Sequence, residues 1–224
     1  MGLFIVIEGG DGAGKGEQIL RIRKLLIDLG VEHIVTREPG GCRSAEEIRS
    51  LLVTGDSDRW TPESELLLFT VARREHIRQV IQPTLTRGAA VICDRFIAST
   101  IAYQGAGHGV DPQAIMALHR QYCGLLPDIT IVLDVDPEIG LARANFRNDV
   151  NTNGEQRFEG LPLDYHRKVR QGLLDGARLT AGTTLVVDAS RSIDEVAAEI
   201  ASILPPAMAA ARDDAERRAG AMVP

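Results

Sequence analysis

Aromatic residues make up only 4% of this 224-residue chain, and cysteines number three. Cys42, Cys93 and Cys123 are widely spaced and form neither a CxxC pair nor a metal-ligand pattern, which excludes a disulfide scaffold and leaves reduced thiols as the expectation. No run of about 20 apolar residues is present to span a membrane. The N-terminal run LFIVI lacks a basic leader and passes directly into Glu8 and glycines, so it reads as a buried strand and not as a secretory signal; a cytoplasmic location is expected. Positive charge is also short, with 25 Lys and Arg against 31 Asp and Glu, a net charge of −6. That balance argues against a general nucleic-acid binder, although local arginines can still hold a small anion.

What is present suits a soluble domain with a sizeable core: 44% of residues are apolar and 25% charged. No internal repeat or linker divides the chain. Five short β-rich runs stand out, at Leu3 to Glu8, His33 to Arg37, Ala89 to Asp94, Ile129 to Val135 and Thr183 to Ala189. All but the second are apolar on successive residues, the pattern of strands buried on both faces of a parallel sheet, and helical stretches lie between them. Ile19, Ile22, Leu25, Leu26 and Leu29 follow a 3.6 period that ends at Gly30. Ser44 with Glu47 suggests a capping box, Pro83 is expected to kink or break a long helix that starts near Pro62, and Pro205 and Pro206 to punctuate the last one. Strand and helix alternation predicts an α/β fold, with ligands at the carboxyl ends of the strands.

The polar residues gather at those ends. GGDGAGK, comprising Gly9, Gly10, Asp11, Gly12, Ala13, Gly14 and Lys15, follows a strand and opens a helix. Glycines let backbone amides converge on an anion, the helix start adds positive potential, and Lys15 supplies a movable cation for phosphates. The hydroxyl that usually follows the lysine and ligates magnesium is missing: Gly16 and Glu17 stand there. A magnesium ion would then depend on phosphate oxygens, water and a carboxylate, with Asp11 and Asp94 as candidates.

Asp94 and Arg95 close one strand, and Arg37 and Glu38 close another before a Pro-Gly-Gly turn. An aspartate in that place can hold a metal-bound water, while an arginine fork fits phosphate oxygens. Phe69 and Arg73, four apart on one helix, share a face that could stack on and hydrogen-bond a nucleobase; read without further context, Phe69 is core. Arg74 and His76 read as solvated. Ser99, Thr100, Tyr103 and Gln104 lie near an expected glycine turn and could read a base edge or ribose. Arg143, Arg147 and Arg157 bracket an Asn- and Gly-rich stretch, the makeup either of a flap whose arginines close over phosphates or of a solvated loop.

Taken together, FIVIEGGDGAGK, TREPGG, the helix from ELLLF to Arg73, CDRFIASTIAYQG and RFE make the chain resemble bacterial thymidylate kinases, in the P-loop nucleoside monophosphate kinase group, over roughly residues 3 to 204. The resemblance implies a P-loop NTPase fold, with a five-stranded parallel sheet, helices on both faces and a lid at about 143–160. It implies a domain over 1–206, followed by an alanine-rich charged tail over 207–224. The implied reaction is phosphorylation of dTMP by ATP with Mg2+, in a homodimer that binds small nucleotides and no membrane or nucleic acid. By the same resemblance Lys15 binds donor phosphates, Asp11 sits near the acceptor sugar and phosphate, and Arg37 and Arg95 hold the monophosphate. Asp94 and Glu8 organise the metal region, Phe69 stacks on thymine, and Arg73 meets a thymine carbonyl. Ser99 lies in the same matched stretch as Thr100, Tyr103 and Gln104, which complete the base and sugar wall, and Arg143, Arg147 and Arg157 fall in the lid. The sequence departs from the family pattern at Gly16-Glu17, at Cys42-Arg43 in place of Thr-Pro, and in a longer lid insertion. Another or modified pyrimidine deoxynucleotide as acceptor, and a nucleotide-binding protein without catalysis, are the competing readings.

Overall fold

A computed structural model describes residues 2–56, 58–148, 157–158, 160–180 and 182–220. In chain order the elements are β1 (Phe4–Gly9), α1 (Lys15–Asp28), β2 (His33–Arg37), α2 (Arg43–Val53), α3 (Pro62–His76), α4 (Gln82–Thr86) and β3 (Ala90–Asp94). They continue with α5 (Ile97–Thr100), α6 (Pro112–Tyr122), β4 (Ile129–Asp134), α7 (Pro137–Asn148), α8 (Leu163–Leu179), β5 (Thr183–Asp188) and α9 (Ile193–Gly220). The strands form one parallel sheet in the order β2-β3-β1-β4-β5. Because β1 lies between β3 and β4, the chain winds outward in both directions from it, and the loop after β1 opens at the crevice where the winding reverses.

Both faces of the central strands are covered, which is why their sequences are apolar without alternation. Ile5 and Ile7 join Ile22, Leu26 and Ile200 in a core under α1 and α9, while Phe4 and Val6 join Ile81, Leu85, Ile97 and Ile115 on the opposite face. The expectation of two-sided burial fails for β5. It is an edge strand, with Thr183 and Asp188 exposed and Val186 47% exposed.

Three helix readings also need correction. Ser44 with Glu47 does not form a capping box: Cys42 is the N-cap residue, and Glu46 instead accepts from the Gly41 amide at 2.9 Å. Pro83 does not break the helical path after α3. The chain widens into a π-helical turn at Ile77–Ile81, where Gln82 donates to the carbonyl of Ile77 five residues back, and Pro83 falls in the first turn of α4, where its missing donor costs little. Pro205 and Pro206 sit inside an uninterrupted α9. Fully buried Leu204 and buried Met208 pack against the core on either side of the pair, so tertiary contact holds the helix across two missing donors.

Candidate active site

The loop after β1 is shaped by its glycines. Gly12 has φ +70°, and a Cβ there would fall 1.9 Å from the carbonyl oxygen of Gly140 in α7, so only glycine fits. Gly14, at φ +87°, is the N-cap of α1 and has no side chain to fill the anion-binding position. Lys15 Nζ donates to the carbonyls of Gly9 and Gly10, each at 3.0 Å. Burial, reinforced by the Arg95 charge, lowers the lysine to about 8, with Asp94, Asp11 and Glu8 opposing the shift.

Arg95 leaves β3 with φ +68°, a left-handed conformation that costs a non-glycine residue about 1–3 kcal/mol. A dense set of contacts holds it there. Its amide donates to Ile7, and its guanidinium to the Gly9 carbonyl at 3.1 Å, Ser99 Oγ at 3.2 Å and Asp11 Oδ1 at 2.9 Å. It also lies over the Tyr103 ring at 5.1 Å. Burial alone would lower the Arg95 pKa, but Tyr103, Asp11, Asp94 and Glu8 raise it. The guanidinium is therefore a fixed cation beside the phosphate loop.

Glu8 serves that geometry from behind. It is fully buried and accepts from the amides of Phe96 and Ser99, at 2.8 and 3.1 Å, and from Ser99 Oγ at 2.6 Å. Burial raises its pKa against these hydrogen bonds and the Arg95 charge. Its carboxylate anchors the turn that carries Arg95 and is not among the side chains that line the main cavity.

A cavity of about 730 Å³ runs from this loop to a wall made by α3, α5 and the segment after α5. The phosphate end presents Asp11, Gly12, Gly14, Lys15, Gly16, Glu17, Asp94 and Arg95. The far end presents Phe69, Arg73, Ser99, Thr100, Tyr103 and Gln104. Phe69 is partly exposed to this cavity, against its reading as core. Tyr103 and Gln104 lie not in a glycine turn but in a second π-helical segment, Ile101–Gly107, where His108 donates five residues back to Tyr103. Burial pushes the Tyr103 hydroxyl upward, keeping it a neutral donor, and it reaches Asp11 Oδ2 at 3.4 Å.

The far wall rests on two buried charge clusters. Arg73 donates from Nε to Glu38 at 2.7 Å and from Nη2 to Thr100 Oγ1 at 2.9 Å. His76, expected to be solvated, is fully buried between Glu38 at 3.1 Å and Thr36 at 2.7 Å, because the buried carboxylate has need of a second partner. Arg74 is exposed and donates to the Tyr122 carbonyl. The second cluster joins Glu65 to Gln104 and Arg157.

The remaining sequence candidates lie elsewhere. Gly9, Gly10 and Ala13 shape the loop without lining the main cavity. Arg37 stands outside it, in a shallow neighbouring hollow with Gly16 and Asp94, and pairs with Glu46 at 3.2 Å. Arg143 does not face the cavity; it satisfies the carbonyls of Ala189 and Ser190 after β5, at 2.8 and 3.0 Å. Arg157 is buried and pinned, bonding the carbonyls of Asp56 and Leu52 and pairing with Glu65 at 2.5 Å. The backbone of Arg147 belongs to α7, while its side chain and residues 149–156 of the expected lid lie outside the described residues. Cavity residues not singled out from the sequence include Arg49 and Phe158, the latter 5.7 Å from Tyr103 in an edge-to-face contact. The RFE match contained the only sequence signal for Phe158.

The thymidylate kinase family model matches residues 7–200. The chain belongs to the thymidylate kinase family. The thymidylate kinase of Caulobacter vibrioides is 47% identical over 204 residues, covering 91% of this chain and 96% of that protein. That of Ruegeria pomeroyi is 44% identical over 203 residues, with coverages of 91% and 94%. The crystal structure of thymidylate kinase from Ehrlichia chaffeensis superposes with a TM-score of 0.71 at 33% identity, covering 91% of this chain and 98% of that one. The P-loop α/β fold expected for a thymidylate kinase is the fold described above.

The cavity suits the groups such a kinase uses. Converging amides, a helix N-terminus and Lys15 fit an anion such as the ATP phosphates. Asp94 Oδ1 is buried without a hydrogen-bond partner among the described residues, the condition of an acceptor that a cation or its water would satisfy. No group of three or more His, Cys, Asp or Glu side chains among the described residues could cage a metal, so phosphate oxygens and water have to complete any magnesium shell.

Proposed function

We infer that the chain transfers the γ-phosphoryl group of ATP to the 5′-phosphate of dTMP, giving dTDP and ADP. The observation that carries this reading is that one cavity holds a phosphate loop and an aromatic, hydrogen-bonding wall, with the fixed Arg95 cation beside the loop. The acceptor phosphate is already an oxyanion near neutral pH, so positioning and charge neutralisation carry the step and no covalent intermediate is needed. Lys15 binds the donor phosphates, Arg95 the transferring and acceptor phosphates, Phe69 stacks on the base and Arg73 meets its carbonyl. Asp94 and Asp11 are the carboxylates that would hold magnesium with nucleotide oxygens and water. Held there, magnesium would supply positive charge that offsets the donor phosphates. Arg147, on the helix that leads into residues 149–156, is the lid arginine of this proposal.

Leu67 and Val71 lie one turn apart on α3 and are 56% and 52% exposed, which supports pairing with a second copy of the chain. Sedimentation of the protein across a dilution series tests that pairing, with a concentration-independent monomer as the contrary result. No helix among the described residues is long and apolar enough to cross a membrane. A cytoplasmic location is supported by three free cysteines.

The decisive assay couples ADP release to ATP and magnesium, run separately with dTMP, dUMP, dCMP, dGMP and dAMP and with an acceptor-free control. Strong release with dTMP is expected. Protein that binds ATP but stays silent across the panel would contradict the kinase reading.

A further inference from the structure

Glu65 opens the ELLLF stretch that leads to Phe69 and Arg73 but carries no assigned role in phosphate or base binding, and it is only 1% exposed at the start of α3. Its Oε2 accepts from Gln104 Nε2 at 3.0 Å, and its Oε1 pairs with Arg157 at 2.5 Å. Within this buried cluster the guanidinium compensates the carboxylate, which acts only as an acceptor. The Gln104 amide must therefore turn its nitrogen toward Glu65. The oxygen remains as an acceptor for a ligand in the cavity that Gln104 lines.

Beside it the wall offers donors. Arg73 has five N–H groups, of which Nε is committed to Glu38 and one on Nη2 to Thr100, four residues before Gln104. An acceptor next to a donor matches the imide edge of a thymine or uracil base, whose N3–H donates and whose O4 accepts. Cytosine reverses both groups, with an acceptor at N3 and an amino donor at C4. Sites built to pair a substrate polar group reject the mismatched analogue strongly, because buried groups are left unpaired.

We propose that Glu65 is a positioning residue that sets base specificity by locking the amide of Gln104. The proposal rests on the reading of the far wall as the base site. Glu65 touches no reacting atom; it acts through Gln104, and Arg157 holds its other carboxylate oxygen.

The test compares dTMP and dCMP on the full chain, by calorimetric affinity and by kcat/KM, for the unaltered protein, Glu65→Gln and the double variant Glu65→Gln, Arg157→Met. The double variant also removes the cation whose carboxylate partner Glu65→Gln takes away. A glutamine at 65 can donate or accept, so the Gln104 amide gains its second orientation and can donate to cytosine N3. Preference for dTMP over dCMP is expected to fall about tenfold or more in at least one variant that folds, through a gain in dCMP binding. Equal losses for both nucleotides, with the ratio intact, would overturn the proposal and leave Glu65 a structural residue. Unaltered protein that prefers dTMP in calorimetry but transfers phosphate to no acceptor would defeat the kinase reading and not this one. Absence of any preference in the unaltered protein would defeat the base wall and this proposal with it.

Discussion

At the phosphate end of the cavity the glycine loop and Lys15 are placed by backbone geometry, whereas at the far end Arg73 and Gln104 are placed by buried ion pairs. Gly12 and Gly14 adopt left-handed conformations, and Lys15 reaches only backbone carbonyls. Across the cavity, Arg73 is locked by Glu38, Glu38 by His76, and Gln104 by Glu65 and Arg157. Lys15 can be lost without leaving a buried carboxylate behind; Arg73 cannot. Function and stability should therefore separate at the first end and be joined at the second.

Lys15→Ala makes the largest break in activity. Removing a preorganised cation from a phosphoryl-transfer site is expected to lower kcat about a thousandfold or more. Denaturant midpoints near neutral pH should hold or rise, since the ammonium bonds Gly9 and Gly10 carbonyls but its burial beside the Arg95 charge is a cost to the fold that the substitution removes. Coupled assays and urea melts on the same preparation measure both, and near-normal turnover at saturating ATP would contradict the role given to Lys15.

Arg73→Met should fail in the opposite manner. It strands Glu38 in a site where the carboxylate is 4% exposed, and breaking such a pair costs about 3–5 kcal/mol. Urea melts should show that loss together with weakened dTMP binding, while ATP affinity of the folded fraction is retained. A variant as stable as the parent would mean that His76 alone compensates Glu38.

The same contrast explains what could be read from the residues alone. The phosphate loop is contiguous, and each glycine answers a local backbone demand, so spacing located it. The three central strands were legible for a similar reason: burial on both faces leaves an uninterrupted apolar run. The base wall is assembled from positions 36 to 38, 65 to 76, 100 to 104 and 157, which topology and not spacing brings together. His76 looked solvated because helical periodicity gives no account of a carboxylate 38 residues away. Arg157 and Arg143 looked like free cations in a polar stretch, but their partners are carbonyls from distant loops. Only the match of several motifs to a known family pointed to the base wall as a unit.

A smaller effect should appear with pH. Burial lowers Lys15 to about 8 in the folded chain, below its ordinary 10.5. The unfolded state then binds more protons between about pH 8 and 10.5, so this group destabilises the fold below pH 8 and the penalty is relieved as pH rises through that window. Activity runs the other way, because the neutral amine cannot neutralise phosphate. The alkaline limb of kcat/KM for ATP, which reports the free enzyme, should turn down near pH 8, while kcat at saturating ATP holds to higher pH because bound phosphates favour the ammonium. Superimposable limbs would place the ionisation elsewhere.

Gly16→Ser is the finest probe of the backbone-built end. Gly16 is exposed to the cavity, and a Cβ placed there meets no atom within 4 Å. The substitution is therefore free of steric cost, and replacing glycine in the first turn of α1 gains up to about 0.5 kcal/mol of helix propensity. The hydroxyl restores the metal ligand that the loop lacks, alongside the unpartnered Asp94 oxygen. The magnesium concentration at half-maximal rate should fall several-fold, with dTMP affinity unchanged because the base wall is untouched. If the magnesium dependence stayed the same, Asp94 and the nucleotide oxygens would already satisfy the ion, and the glycine would have cost the site nothing.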